Sequence, residues 1–145
     1  MFSLEGRVAL VTGASRGIGK AIATQLKEMG ATVIGTATSE NGAAKISEYL
    51  GEGCGLVLNV TNDDSIADMF GIIKDKFGGV DVLVNNAGIT RDNIFMRMKD
   101  EEWNDIIDTN LSSVFKISKA VLRPMMKKRN GRIINIGSVV GTTGN

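Results

Sequence analysis

The sequence contains no histidine and only one cysteine among its 145 residues. Because histidine is missing, these residues hold neither a Ser-His-Asp triad nor a metal site with imidazole ligands, and we expect no metal ion. A single thiol, Cys54, forms no disulfide bond within the chain. An unpaired cysteine fits an intracellular protein, and we expect a cytoplasmic location.

An excess of charge and a long apolar run are also missing. The 17 basic and 16 acidic residues leave a net charge of +1, which predicts neither nucleic acid nor an anionic membrane as a partner. The sequence has no run of roughly 20 apolar residues, the length that a membrane-spanning helix needs. Aromatic residues are few, so we expect a core of valine, isoleucine, leucine and alanine, which is typical of buried parallel strands covered by helices.

Short apolar segments alternate with longer amphipathic ones along the chain. The predicted strands are Arg7–Thr12, Ala31–Gly35, Gly55–Val60, Asp81–Asn85 and Arg132–Gly137. The predicted helices are Lys20–Met29, Asn41–Leu50, a third that begins at a cap on Thr61 or Asn62 and ends near Phe77, and a fourth from about Asp100 to Arg129. This alternation predicts an α/β fold, a doubly wound parallel sheet with helices on both faces.

A glycine-rich turn, Thr12–Gly19, joins the first predicted strand to the first predicted helix. Its glycines follow the spacing Gly-x3-Gly-x-Gly. Glycine lets the backbone turn sharply and approach a ligand closely, and the N-terminus of a helix favours an anion. A preceding strand and a following helix are the context in which such a motif binds the pyrophosphate of a dinucleotide. A tight turn without a ligand is the alternative.

The end of the second predicted strand indicates which nucleotide is bound. Folds that bind NAD place an acidic residue there, where it binds the ribose 2′-hydroxyl. The segment Gly35–Ser39 has hydroxyls and no acidic residue, and Arg16 in the glycine-rich turn can reach a 2′-phosphate. Glu40 is the counter-argument, because it lies near the usual distance for the NAD acid; we interpret it as a solvated residue that begins the second helix. We therefore predict NADPH/NADP+ as the cofactor.

Two further motifs lie just after predicted strands. They are Asn85-Asn86-Ala87-Gly88 after the fourth strand and Ser138 after the fifth. Together with the glycine-rich turn they make the chain resemble the short-chain dehydrogenases/reductases, in order and in spacing. The resemblance implies that residues 1–145 form an NADP-binding Rossmann domain, truncated after its fifth strand and therefore incomplete at its C-terminus.

A narrower resemblance rests on the segments Leu58–Thr61, Ala87–Asn93 and Met96–Trp103. They are similar to the bacterial 3-oxoacyl-[acyl-carrier-protein] reductases of fatty acid biosynthesis, and Asn59 stands where many other short-chain dehydrogenases have aspartate. The narrower resemblance implies an NADPH-dependent reduction of 3-oxoacyl-[acyl-carrier-protein] to 3-hydroxyacyl-[acyl-carrier-protein]. The alternatives are a short-chain reductase of free ketones, sugars or steroids, and a non-catalytic nucleotide-binding or assembly module.

The resemblance also assigns cofactor contacts to particular positions. Cofactor binding is implied for Gly13, Ala14, Ser15, Arg16, Gly17, Ile18, Gly19, Thr38, Asn59, Val60, Asn86, Ala87 and Gly88. In this assignment Gly13–Arg16 hold the phosphates, and Thr38 lies beside the adenosine ribose and its phosphate. Asn59 and Val60 frame the adenine, and the three residues that follow Asn85 line the nicotinamide ribose.

Two residues are implied to act in catalysis. Ser138 would hydrogen-bond the substrate carbonyl, and Asn110 would hold a water molecule of the proton relay. Hydride transfer to a ketone leaves negative charge on the oxygen, so a positioned hydroxyl and a source of protons suit this chemistry. The alternatives are that Ser138 is an ordinary turn serine and that Asn110 is a surface residue of the fourth helix.

The fourth helix carries the residues implied in contacts with other chains. The basic run Lys127–Arg129 suits the negative end of this helix, and the resemblance implies instead that Arg129 helps to bind the acidic acyl carrier protein. It also implies a homotetramer in the full-length protein, with a face formed by Phe115, Val121 and Leu122.

The chain departs from the family in one respect. The resemblance implies a proton-donating tyrosine, followed four residues later by a lysine, beyond Ser138, but the sequence ends at Asn145. The single tyrosine, Tyr49, belongs to the second predicted helix and does not fill that role. We therefore expect the 145 residues by themselves to be inactive, and the parent protein to be an active reductase.

Overall fold

The computed structural model describes residues 3–86 and 100–136, without the side chains of residues 100, 102, 103, 106, 107, 109 and 110. Strands and helices alternate along these residues. They are β1 Val8–Val11, α1 Gly17–Glu28, β2 Thr32–Ala37, α2 Glu40–Leu50, β3 Gly55–Val57, α3 Asp63–Phe77, β4 Val82–Asn85, α4 Asp100–Lys128 and β5 Arg132–Asn135.

The five strands form one parallel sheet with the order β3-β2-β1-β4-β5. β1 lies at the centre, where Leu10 is in register with Ile34 of β2 on one side and with Leu83 of β4 on the other. The chain moves outward from β1 to β3 and then crosses to β4 on the opposite side of β1. This reversal leaves a crevice at the carboxyl ends of β1 and β4, where open parallel sheets bind ligands. The predicted Rossmann-like α/β fold is confirmed.

Helices cover both faces of the sheet, because the side chains of a strand point alternately to its two faces. Val11 of β1 packs on one face in a core that includes Ile46 of α2. Leu10 points to the other face and packs with Ile73 of α3 and Ile117 of α4. The apolar residues buried in both cores are aliphatic or contain sulfur, as the scarcity of aromatic residues predicts.

α1 begins at Gly17 rather than at the predicted Lys20. Glycine has a low helix propensity, so the prediction left the glycines outside the helix. In the structure the Arg16 carbonyl accepts a hydrogen bond from the Lys20 N–H at 3.3 Å, which closes a first helical turn that contains Gly19. The last part of the glycine-rich turn therefore belongs to α1.

β2 is longer and β3 is shorter than predicted. β2 extends to Ala37, because Thr36 and Ala37 pair with β3. β3 ends at Val57, although the apolar residues continue to Val60. The chain turns at Asn59, whose side-chain oxygen accepts hydrogen bonds from the Thr61 N–H and hydroxyl at 3.1 and 2.7 Å. An asparagine that bonds its own backbone two residues later forms a turn and ends the strand.

The N-cap of α3 and its end at Phe77 agree with prediction. Asn62, one of the two predicted caps, accepts hydrogen bonds from the N–H groups of Asp64 and Ser65. Gly78 ends the helix in a left-handed conformation, with φ of 85°.

α4 continues through Pro124 to Lys128. The prediction that Val121 contributes to a subunit face is wrong, because its side chain is 4% exposed and packs in the core one helical turn from Ile117 and Met125. Phe115 is exposed, as that prediction requires. In the two described ranges, no helix is both long enough and apolar enough to cross a membrane.

Candidate functional site

A cleft of about 530 Å³ opens at the carboxyl ends of the central strands. Its lining consists of Gly13, Ser15, Arg16, Gly17, Ile18, Thr36, Ala37, Thr38, Leu58, Val60 and Asn86. All of these except Thr36, Ala37 and Leu58 are predicted cofactor-binding residues. Of the other predicted residues in the described ranges, Ala14 and Gly19 are buried and Asn59 is exposed outside the lining.

The backbone of the glycine-rich turn is fixed by side chains from elsewhere in the chain. The Gly13 N–H donates to the Thr36 hydroxyl at 3.2 Å, and the Asn86 side-chain amide donates to the Gly13 carbonyl at 3.2 Å. The Ala14 N–H donates to the Thr36 carbonyl at 2.9 Å, and the Tyr49 hydroxyl donates to the Ala14 carbonyl. Because the N–H groups of Thr12, Gly13 and Ala14 are engaged within the protein, the donors that remain for a ligand begin at Ser15.

The N-terminus of α1 borders the cleft, and its first N–H groups have no partner within the helix. Arg16 is the N-cap residue, with φ of −164° and ψ of 174°, and its side chain makes no capping hydrogen bond among the described residues. The first turn of this helix, which is fully described, contains no acidic residue. Unpaired N–H groups, the helix dipole and the Arg16 guanidinium therefore all favour an anion at this end of α1.

Gly19 lets α1 approach the turn closely. A Cβ atom at this position would lie 2.0 Å from the Gly13 carbonyl oxygen and 2.4 Å from the Asn86 side-chain nitrogen. Both distances are shorter than any real contact, so a larger residue here would push the helix away from the turn and from Asn86. Gly19 therefore shapes the cleft without lining it.

The three hydroxyls that follow Gly35 have different environments. Thr36 is buried and binds the glycine-rich turn, and the Ser39 hydroxyl caps α2 by accepting from the Gly42 N–H at 3.0 Å. Thr38 is exposed and lines the cleft. Glu40 is the first residue of α2 and borders a different groove, between α2 and α3. The acidic residue nearest to the end of β2 thus lies outside the lining of the cleft.

The ends of β1 and β4 meet through Thr12. Its hydroxyl accepts a hydrogen bond from the Asn86 N–H at 2.8 Å and donates to the Val84 carbonyl at 3.4 Å. Asn86 therefore has two links to the β1 end, one through Thr12 and one through Gly13. A strand–turn–helix unit with a free helix N-terminus, closed by an asparagine from the neighbouring strand, can hold a dinucleotide.

A sequence profile described as short chain dehydrogenase matches residues 7–145. The chain belongs to the short-chain dehydrogenase family. The curated 3-oxoacyl-[acyl-carrier-protein] reductase of Vibrio cholerae serotype O1 is 72% identical over 144 residues, which are 99% of this chain and 59% of the relative. The protein of that name from Escherichia coli strain K12 is 71% identical, with the same coverage of both chains.

A more distant relative of the same name, from Pseudomonas aeruginosa, is 60% identical over 147 residues, which span 99% of this chain and 60% of the relative. The chain thus spans about three fifths of the length of the curated relatives that it matches.

In this short-chain dehydrogenase, a buried asparagine joins the segments that carry the remaining predicted site residues. The Asn85 side-chain amide donates to Asn135 Oδ1 at 2.8 Å and to the Ser118 hydroxyl at 3.2 Å. These bonds connect β4 with β5, which precedes Ser138, and with α4, which contains Asn110. Ser138, Ala87 and Gly88 themselves lie outside the described residues, as does the side chain of Asn110.

Sequence reasoning missed the structural residues that support the site of this short-chain dehydrogenase. Thr36 at the end of β2 and Tyr49 of α2 bind the turn, and the Thr12 hydroxyl joins the end of β1 to Asn86. Asn85 and Asn135 gave a usable signal, because asparagine is unfavourable in a strand and both stand at the last position of one. The Tyr49 contact left no signal in the sequence.

Proposed function

We propose that the protein is an NADPH-dependent oxidoreductase that reduces 3-oxoacyl-[acyl-carrier-protein] to 3-hydroxyacyl-[acyl-carrier-protein] in fatty acid biosynthesis, in the cytoplasm. The observation that carries this proposal is the cleft at the strand ends, where an uncapped helix N-terminus and Arg16 favour an anionic nucleotide. The choice of substrate is supported by the names of relatives that are 72%, 71% and 60% identical to the chain.

The lining of the cleft fits NADPH better than NADH. Among the described residues that line it, Arg16 alone carries a charge. A site for NAD has an acid at the end of the second strand, whereas Thr38 occupies the lining here and Glu40 borders another groove. A guanidinium and a hydroxyl in the lining of one cleft suit a 2′-phosphate, which accepts charge-assisted hydrogen bonds.

We propose cofactor contacts for groups around the cleft, and we assign the phosphates to N–H groups that are not bonded within the protein among the described residues. The N–H groups from Ser15 to Ile18 hold the pyrophosphate, and Gly13, Ala14 and Gly19 give the turn and the start of α1 their shape. Asn59 and Val60 border the adenine. Asn86, with Ala87 and Gly88 after it, borders the nicotinamide ribose.

NADPH, when bound, supplies the hydride for the ketone carbon. We assign to Ser138 the hydrogen bond to the substrate carbonyl oxygen, where negative charge develops, and to Asn110 a water molecule that relays a proton. The contacts of Asn85 support this assignment. The strand before Ser138, the helix that contains Asn110 and the strand before Asn86 all meet at Asn85.

Arg129 is the residue that we propose for contact with acyl carrier protein. Its backbone is left-handed, with φ of 56°. The Arg129 N–H donates to the Met126 carbonyl and the Asn130 N–H donates to the Met125 carbonyl, both at 3.1 Å, so backbone groups cap the end of α4. Capping therefore does not require the exposed Arg129 side chain, which leaves its charge for an acidic partner.

For the full-length protein we propose a homotetramer in which α4 packs against α4 of another subunit. Leu111, Phe115, Leu122 and Met126 recur along α4 at helical spacing and are each between 46% and 68% exposed. A row of exposed apolar side chains on one helix face is typical of a surface that another chain covers.

The test of the proposed function is an assay of NADPH oxidation by the protein at its full natural length. We expect turnover with a 3-oxoacyl group on acyl carrier protein, slower turnover with NADH, and none with residues 1–145 alone. Turnover of free ketones but not of the carrier-linked substrate would indicate a different short-chain reductase. Nucleotide binding without turnover of either substrate would indicate a non-catalytic module.

A further inference from the structure

Tyr49 links helix α2 to the glycine-rich turn. Its hydroxyl donates a hydrogen bond to the carbonyl of Ala14, which lies 35 residues earlier in the sequence. The ring packs against the core on the α1 and α2 face of the sheet, and Lys20 Nζ lies 5.2 Å from its centroid. Lys27 Nζ donates to the Tyr49 carbonyl at 3.0 Å. The core and Lys20 thus contact the Tyr49 ring, and Lys27 binds the backbone of the same residue.

The Ala14 carbonyl depends on this hydroxyl. Within the described residues, the Ala14 carbonyl accepts its hydrogen bond from the Tyr49 hydroxyl. Ala14 is 0% exposed, so a water molecule does not replace this bond. The Ala14 N–H donates to the Thr36 carbonyl. A buried carbonyl that loses its donor is costly, and the backbone around it shifts to find another.

The peptide bond after Ala14 transmits this constraint to Ser15. A trans peptide is planar, and its C=O and N–H bonds point in opposite directions. Because the Ala14 carbonyl points towards Tyr49, the Ser15 N–H points away from Tyr49. Ser15 lines the cleft and Tyr49 does not. The tyrosine hydroxyl therefore sets the direction of the first backbone donor that remains for a ligand.

We propose that Tyr49 is a positioning residue for dinucleotide binding, which holds the Ala14 carbonyl and thereby directs the Ser15 N–H towards the phosphates of the cofactor. The inference rests on the proposed function as a dinucleotide-dependent oxidoreductase. Burial raises the pKa of Tyr49 to about 12. The hydroxyl consequently keeps its proton, and with it the capacity to donate, throughout the neutral range.

The test uses the protein at its full natural length and NADPH as the probe. Tyr49→Phe removes only the hydroxyl, and we expect the dissociation constant of NADPH to rise by about three- to tenfold. Ser47→Ala is the matched control, because it also removes a hydroxyl from α2. The Ser47 hydroxyl accepts a hydrogen bond from the Gly55 N–H at 2.9 Å and does not bind the glycine-rich turn. This substitution should leave NADPH affinity unchanged. In a third variant 4-aminophenylalanine replaces Tyr49 and restores a donor, so affinity should return close to the wild-type value.

Affinities are measured well below the melting temperature of each variant, so that loss of folded protein does not contribute. Equal affinity of Tyr49→Phe and wild type, or an equal loss in Ser47→Ala, would overturn the inference. If Tyr49→Phe does not fold, the test rests on the variant with 4-aminophenylalanine at position 49. Weaker NADPH binding by that variant than by the wild type would overturn the inference. If the wild type binds neither NADPH nor NADH, the proposed function fails as well. If the wild type binds and the variants match it, only the role of Tyr49 fails.

Discussion

The Thr12 hydroxyl accepts a hydrogen bond at 2.8 Å from the backbone N–H of Asn86, a residue 74 positions later in the sequence. Thr12 is fully buried and follows β1, and Asn86 follows β4. The two strands that flank the crevice therefore end at a shared contact. This contact closes the cleft between the glycine-rich turn and the segment after β4.

Replacing Thr12 by valine keeps the shape of the side chain and removes the acceptor. The Asn86 N–H then loses its partner, and we expect the free energy of unfolding to fall by about 1–3 kcal/mol. Thr24→Val is the control, because the exposed Thr24 hydroxyl bonds the Lys20 carbonyl within α1, and its effect should stay within about 0.5 kcal/mol. Denaturant unfolding measures both values, and equal effects of the two substitutions would contradict the prediction.

Alanine at Gly19 tests the close approach of α1 to the turn. The added Cβ would lie 2.0 Å from the Gly13 carbonyl oxygen, so we expect a loss of about 1–3 kcal/mol in stability and weaker NADPH binding. Gly71→Ala provides the contrast, since Gly71 lies in α3 with nothing within 4 Å of an added Cβ. Alanine there should stabilise the protein by about 0.5–1 kcal/mol. Thermal unfolding and nucleotide titration distinguish the two, and a stabilised Gly19→Ala protein would refute the steric argument.

Arg16→Ala tests the choice between the two nucleotides. Removing the guanidinium should weaken NADPH binding by about ten- to a hundredfold, which corresponds to the loss of one charge-assisted hydrogen bond. The affinity for NADH should stay nearly unchanged. Glu40→Ala serves as the control, because Glu40 borders the other groove and should leave the ratio of the two affinities as it is. A parallel loss of NADPH and NADH affinity in Arg16→Ala would show that Arg16 binds the shared pyrophosphate instead.

Arg129→Gly separates backbone strain from carrier binding. Glycine adopts the left-handed conformation at φ 56° without penalty, so stability should rise by about 1 kcal/mol. Lys127→Gly, inside α4, should lower stability by about the same amount. If Arg129 contacts acyl carrier protein, its loss also raises KM for the carrier-linked substrate and leaves a short 3-oxoacyl thioester unaffected. A KM that does not change for either substrate would argue against the carrier contact.

Because the Tyr49 hydroxyl is partly buried, we expect the free energy of unfolding to depend on pH in the alkaline range. Burial raises its pKa from 10.0 to about 12, so the unfolded chain releases the proton first. The protonated Tyr49 hydroxyl contributes fully to the free energy of unfolding below pH 10.0, and this contribution is lost as the pH rises to about 12. Tyr49→Phe should therefore make the free energy of unfolding fall less steeply in this range than it does in the wild type. Identical slopes for the two proteins would mean that the Tyr49 hydroxyl is not buried as described.

Much of the fold follows from local patterns. The alternation of apolar strands with amphipathic helices predicts the parallel sheet and its two layers of helices, because strand and helix periods differ. Asn62 and Gly78 mark the ends of α3, since each satisfies backbone groups only a few residues away. The glycine spacing predicts a turn before α1, although helix propensity placed the start of that helix too late.

The contacts that support the candidate site are of another kind. Residue types alone place three hydroxyls after Gly35, and only the family resemblance selects Thr38 among them. In the structure Thr36 pairs with β3 and is buried against the glycine-rich turn, whereas Thr38 lies in the lining of the cleft. Likewise Asn85 meets Asn135, and Tyr49 meets Ala14, only because strand register and helix packing bring distant segments together. Short-range physics, which acts over a few residues, therefore determines the elements and the turn from sequence. The orientation of each donor around the cleft depends on how β2, β4, β5, α2 and α4 pack against one another, and only the tertiary structure decides it.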